Sequence, residues 1–177
     1  MTIALSLPVT AITIRPLVRE DAEAFMLLRL AQAAESEVAM GCTLEEEVSR
    51  PMERFYDNLS GGPEAQTFGA FANDRLIGTA AVLRMGDIAS YAHKYLLWGV
   101  IVSPNYRRRS VARRLVETAI AHVRAQGAHR IQLCMYEPNE AARQLYESLG
   151  FTPYGVEPEA LCLHGAYFDA CLMTLLV

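Results

Sequence analysis

Residues 98–113 read WGVIVSPNYRRRSVAR, an apolar, β-branched run that passes Pro104, enters a basic loop and opens at once into a helix. Over 111–126, Val111, Ala112, Leu115, Val116, Ala119, Ile120 and Val123 recur at helical spacing, with Arg113, Arg114, Glu117 and Arg124 opposite. Gly127 supplies the stop. The stretch 95–102 before the loop is a third strand after an upstream pair. A second strand and helix follow: 130–136, then a helix opened by Pro138-Asn139, packed through Ala142, Leu145, Tyr146 and Leu149, and closed by Gly150. Parallel strands need a crossover of this kind, so 95–102 and 130–136 are expected to run parallel.

Working outward, the N-terminal part reads as a strand at 12–15 and a helix begun near Asp21, whose apolar run includes Phe25, Leu28 and Ala31. A further helix is expected over 45–59, and Ser60-Gly-Gly-Pro63 breaks the chain. Runs 67–72 and 75–85 are joined by Asn73-Asp74, the signature of a two-residue hairpin, which is antiparallel. Late strands are expected near 160–163 and 170–177. The expected fold is therefore one α/β domain, 1–177, with a mixed sheet of six to seven strands flanked by helices.

The four cysteines, Cys42, Cys134, Cys162 and Cys171, show no C-x-x-C spacing, and the four histidines do not join them at ligand distances, so no metal site is expected. Thiol usage of this kind fits a reducing, cytoplasmic setting. Residues 1–10 carry no basic stretch, and Pro8 interrupts their apolar run, so neither an export signal nor membrane attachment is expected. Net charge is −4, yet five arginines crowd into 107–114. No aromatics interleave with them and the rest of the chain is acidic, which argues against nucleic acid as partner.

A basic loop entering a helix is suited to phosphate. The first N–H groups of a helix lack intrahelical partners and the dipole favours an anion there, while arginines add charge. The bland alternative is a solvated helix start that keeps the protein soluble.

Arg107-Arg-Arg-Ser-Val-Ala112 resembles the acetyl-CoA signature Q/R-x-x-G-x-G/A of the GNAT superfamily of N-acetyltransferases, with Ser110 where the central glycine usually stands. About forty residues on, Asn139-Glu-Ala-Ala-Arg-Gln-Leu-Tyr-Glu-Ser-Leu-Gly-Phe151 is similar to that superfamily's second hallmark, N-x-x-A-x-x-L-Y-E-x-L-G-F, at every fixed position. The tail, residues 155–177, resembles a bacterial subgroup whose acceptors are poorly defined.

The resemblance implies a mostly antiparallel, twisted sheet whose central parallel pair splays to admit acetyl-CoA as co-substrate. It implies that Val100, Ile101 and Val102 meet the pantetheine arm, and that Arg107, Arg108, Arg109, Ser110, Val111, Ala112 and Arg113 meet the pyrophosphate. Asn139, a helix cap in its own right, and Ala142 complete the cofactor set. Tyr146, on an apolar helix face where a tyrosine also serves as packing, is implied to protonate the departing thiolate. The resemblance also implies direct acetyl transfer to a primary amine of a small molecule or peptide.

The strand 96–102 offers no carboxylate as general base, which leaves water relays. Trp98, His93 and Glu157 are candidates for the acceptor side, each with an ordinary structural alternative. Three rival functions stay open: a non-catalytic acyl-CoA sensor, another acyl-CoA as donor, and an oxygen acceptor. A homodimer is compatible with all of them.

Overall fold

The computed structural model describes residues 11–59, 61–86 and 88–177. The expectation for residues 1–10, and the first residue of the break at 60–63, lie outside them. Seven strands form one sheet in the order β1-β2-β3-β4-β5-β7-β6. Its strands are β1 (Ile12–Pro16), β2 (Ala65–Ala72), β3 (Arg75–Arg84), β4 (Lys94–Val102), β5 (Arg130–Tyr136), β6 (Thr152–Leu163) and β7 (Ala166–Leu176). Every neighbouring pair is antiparallel except β4 and β5. The β2–β3 hairpin turns at Asn73 and Asp74, both at positive φ, which matches the twist of the flanking strands.

Helices cover both faces. On one side α5 (Val111–Ala125) and α6 (Glu140–Ser148) seal a core that includes Phe68, Ile77, Leu97, Leu115, Ile131 and Met173. On the other, α1 (Ala22–Glu35) and α4 (Met52–Asn58) press Phe25 and Phe55 against Leu17, Phe71 and Ile101. Two short helices, α2 (Glu37–Met40) and α3 (Leu44–Val48), connect them.

Three expectations need correction. The helix expected over 45–59 is two helices, because Pro51 has no N–H to donate and pushes the preceding residue out of the helical region. Ala31 is exposed; the buried face of α1 runs through Ala22, Phe25, Arg29 and Ala33. The late strands are much longer than expected. β6 is an edge strand whose residues are mostly exposed, so it lacks the apolar alternation that marks a strand in sequence.

β4 contains a one-residue bulge. Ala81 pairs with Trp98 but Thr79 pairs with Ile101, so β4 carries one residue more than its partner. Gly99 adopts φ +61 there, and its carbonyl accepts from the Thr79 hydroxyl at 2.9 Å. Before the bulge Tyr95 and Leu97 face the α5 side; after it Val102 does, and Ile101 turns to α1.

Candidate active site

β4 and β5 pair only through Lys94↔Arg130, Tyr95↔Ile131 and Leu96↔Gln132. Beyond Leu96 they part, although β4 stays paired to β3 and β5 to β7 along their outer edges. The inner edges thus leave backbone groups without strand partners. Between them opens a cleft of about 1090 Å³, with a wall from α1 and α2 and another from α5 and α6.

The loop after β4 delivers the cleft to the start of α5. Arg108 and Ser110 both take positive φ, and Ser110, the residue before the helix, lies in the left-handed region at φ 58 and ψ 16 with no side-chain cap bond. The first helical hydrogen bond runs from Arg114 N to Ser110 O at 3.0 Å. The N–H groups of Val111, Ala112 and Arg113 therefore precede the helical ladder. Left-handed turns followed by a helix start form a concavity of donors suited to an anion.

The arginines divide the work. Arg108 and Arg113 line the cleft, and Arg113 also donates to the Ser148 hydroxyl at 2.6 Å, linking α5 to α6. Arg107 is a clamp: both terminal nitrogens hold Glu35 and its Nε donates to the Val102 carbonyl. Arg109 lies outside the cleft, over the Tyr106 ring.

On the α6 side, the Asn139 side chain accepts from Ala142 N at 3.2 Å and fixes the helix start. Tyr146 is buried, its ring edge-on to Phe151 at 5.7 Å, and it lines the cleft. Its hydroxyl has no hydrogen-bond partner among the described residues. Burial pushes its pKa up to about 12, so the phenol keeps its proton at neutral pH. Tyr136 and Cys134 line the same wall, and burial raises both, Tyr136 phenol and Cys134 thiol.

The structure brings together Trp98, Val100, Ile101, Val102, Ser110 and Val111 with Ala112, Asn139, Ala142 and Tyr146 around one cleft. It does not bring in His93, whose carbonyl accepts from His129 and Arg130 N–H at the closed end of the β4–β5 pair. Glu157 sits on β6, outside the lining but close enough for its charge to raise Cys134 and Tyr136 further. Sequence reasoning missed Arg29 and Arg50, which reach the cleft from α1 and the α3–α4 connection.

A salmonella protein, the ribosomal protein bS18 alanine N-acetyltransferase of Salmonella typhimurium, is 30% identical over 104 residues, 59% of this chain and 66% of that one. Mycothiol acetyltransferase of Thermobispora bispora is 41% identical over 56 residues, 32% of this chain and 19% of that one. Three of the curated relatives are far longer, since the chain spans 27%, 19% and 20% of their lengths. A Salmonella typhimurium structure with its cofactor acetyl-CoA shares the fold, with a TM-score of 0.77 over 94% of each chain at 19% identity. The model of the acetyltransferase (GNAT) family matches residues 30–151, which run from α1 through the parted strands to the end of α6. Over that span both sequence and fold agree, and this chain belongs to the acetyltransferase (GNAT) family.

Proposed function

We propose that this chain transfers the acetyl group of acetyl-CoA directly to a primary amine of a small molecule or peptide. The observation that carries this is the parting of β4 from β5 at Leu96, which opens onto the donor-rich start of α5 at one side and the buried phenol of Tyr146 at another. The pantetheine arm adds to the free inner edge of β4 near Val100 and Val102. Pyrophosphate takes the N–H groups of Val111, Ala112 and Arg113, with Arg108 supplying charge.

The amine attacks the thioester carbonyl carbon, the C–S bond breaks, and sulfur leaves as thiolate while the amine proton passes to water. Tyr146 donates a hydrogen bond to sulfur as charge develops. Burial holds the phenol in its neutral, donating form, and where its proton moves to sulfur as the C–S bond breaks, the amine proton carried by water restores the phenol. Among the described residues, the only carboxylate in the cleft lining, Glu35, is held by Arg107, which leaves deprotonation of the amine to solvent.

That same lack of a free base favours a second function, a non-catalytic acyl-CoA sensor. An amine panel read by free thiol release from acetyl-CoA, beside a CoA titration, separates the two. Thiol release with an amine supports transfer. Tight CoA binding with no turnover supports the sensor, and no CoA binding at millimolar concentration overturns both.

A further inference from the structure

Arg29 stands on the buried face of α1, six residues and roughly 9 Å of helix axis before Glu35 and its clamp to Arg107. Its Nε and one terminal nitrogen donate to the two oxygens of Glu47 at 2.6 and 2.9 Å. Arg50 adds a third bond, Nε to the same carboxylate at 3.2 Å, and the Cys42 thiol a fourth at 3.5 Å. Glu47 is 1% exposed and saturated by these partners. The remaining terminal nitrogens of Arg29 and Arg50 meet no acceptor from another described residue, and both side chains line the cleft.

Two guanidinium groups against one carboxylate leave a surplus of one positive charge on this wall. Nothing in the lining cancels it: among the described residues that line the cleft there are five arginines and one carboxylate, and that carboxylate belongs to Arg107. As a helix fastener the cluster is a poor choice, because apolar side chains of similar size hold helices at least as well as a buried ion pair. Its effect is to fix two planar, donor-rich groups in place with free edges toward the cleft. Such edges match a carboxylate, which accepts paired N–H bonds. The loop before α5 lies at the other end of the same stretch of α1, beyond the clamp, so a pyrophosphate held at that loop does not occupy them.

On the reading of the chain as an acetyltransferase, we propose that Arg29 and Arg50, braced by Glu47, bind the acceptor, and that the acceptor is an amine bearing a carboxylate, as a free amino acid does.

The test compares each of the amino acids with its carboxamide by thiol release from acetyl-CoA, for wild type, Arg50→Gln and Arg50→Lys. The acid of the best pair is expected to exceed its amide in kcat/KM by about 10- to 100-fold, the range of a charge-assisted contact. Arg50→Gln should collapse that ratio toward one and Arg50→Lys should keep part of it, with CoA titration and circular dichroism confirming an intact fold. A second arm needs no turnover: calorimetric titration of the CoA-loaded protein with N-acetylmethionine and its amide. Preference for the acid that Arg50→Gln removes supports the proposal even if no amine is acetylated. Amides used or bound as well as acids overturn it and leave the transferase standing, as does a CoA-loaded protein that binds neither. A chain that fails to bind CoA overturns the acetyltransferase reading itself.

Discussion

Arg107 grips Glu35 with both terminal nitrogens, at 2.5 and 2.6 Å, while its Nε donates to the Val102 carbonyl at 3.0 Å. One side chain thereby ties the end of β4 and the loop before α5 to the last turn of α1. The arginine that the sequence motif assigns to the cofactor spends its charge on holding the cleft in shape.

Arg107→Ala should therefore act on stability as well as on ligand. Both partners are roughly 40% exposed, so the ion pair contributes about 1 kcal/mol or less and the carbonyl bond about 1 kcal/mol more. For a chain of this size that corresponds to a fall in Tm of about 2 to 6 °C by calorimetry. The hydrogen bond from Arg107 holds the Glu35 carboxyl below its usual value. Its contribution is thus present above the unfolded value of 4.5 and lost as pH falls through the folded one. Wild type and variant should draw closer in acid, down to the part that the Val102 carbonyl bond keeps at any pH; a gap as wide in acid as at neutral pH refutes the ion pair.

Glu47→Gln should be far more damaging. It strips a buried carboxylate from Arg29, and breaking such a pair costs about 3–5 kcal/mol. Burial pushes the Glu47 carboxyl up, but the hydrogen bond and charge of Arg29, with the charge of Arg50, outweigh it and hold it below 4.5. The sign is that of Glu35: stabilising above that value, lost in acid. Urea unfolding at neutral pH and at about pH 3.5 should show the difference between wild type and variant shrinking. An equal difference at both pH values would refute the ion pair as its source.

Ser110→Gly should stabilise. A side chain in the left-handed region costs about 1–2 kcal/mol, part of which the greater freedom of glycine in the unfolded chain takes back. A rise in Tm of about 1 to 4 °C is expected, with CoA affinity kept or improved. Ser110→Leu should weaken CoA by crowding the phosphates. If both variants bind CoA like wild type, close backbone approach at Ser110 is not part of the site.

Tyr146→Phe should keep the fold and CoA affinity, since the ring still meets Phe151 edge-on. Single-turnover acetyl transfer under saturating acetyl-CoA should slow by about 10²-fold, the lower end for a positioned proton donor, because a thiolate is already a fair leaving group. A drop smaller than about threefold would return Tyr146 to packing.

The strand, loop and helix around Arg107 were legible because each leaves a local mark: a β-branched run, a proline, a cluster of like charge, a 3.6-residue period. Tyr146 and Asn139 were singled out by the resemblance of residues 139–151 to a known hallmark, and both line the cleft. Arg29 and Glu47 were not. They are eighteen residues apart on different helices, and a charged residue on an amphipathic helix reads as solvent-facing unless its partner is known. For the same reason the apolar run through Ala31 does not trace the buried face of α1, which Arg29 shares while Ala31 is exposed. His93 was drawn toward the site by its nearness to β4 in sequence, but a strand of nine residues spans about 30 Å, and His93 is at the wrong end.

The extra residue at Gly99 makes β4 a strand with two phases. Because side chains alternate with a period of two, the extra residue sets Trp98 and Ile101, three positions apart, on one face opposite Ala81 and Thr79; without Gly99 they would stand two apart, opposite the same partners, and every position beyond would keep its face. Ile101 would stay on the α1 side and Val102 on the α5 side. This segment can consequently lose one residue without exchange of the two core layers. What a deletion would remove is the kink itself, with the left-handed Gly99 and the carbonyl to which the Thr79 hydroxyl donates, so descendants of this sequence can lose the bulge only by straightening β4 along the edge of the cleft.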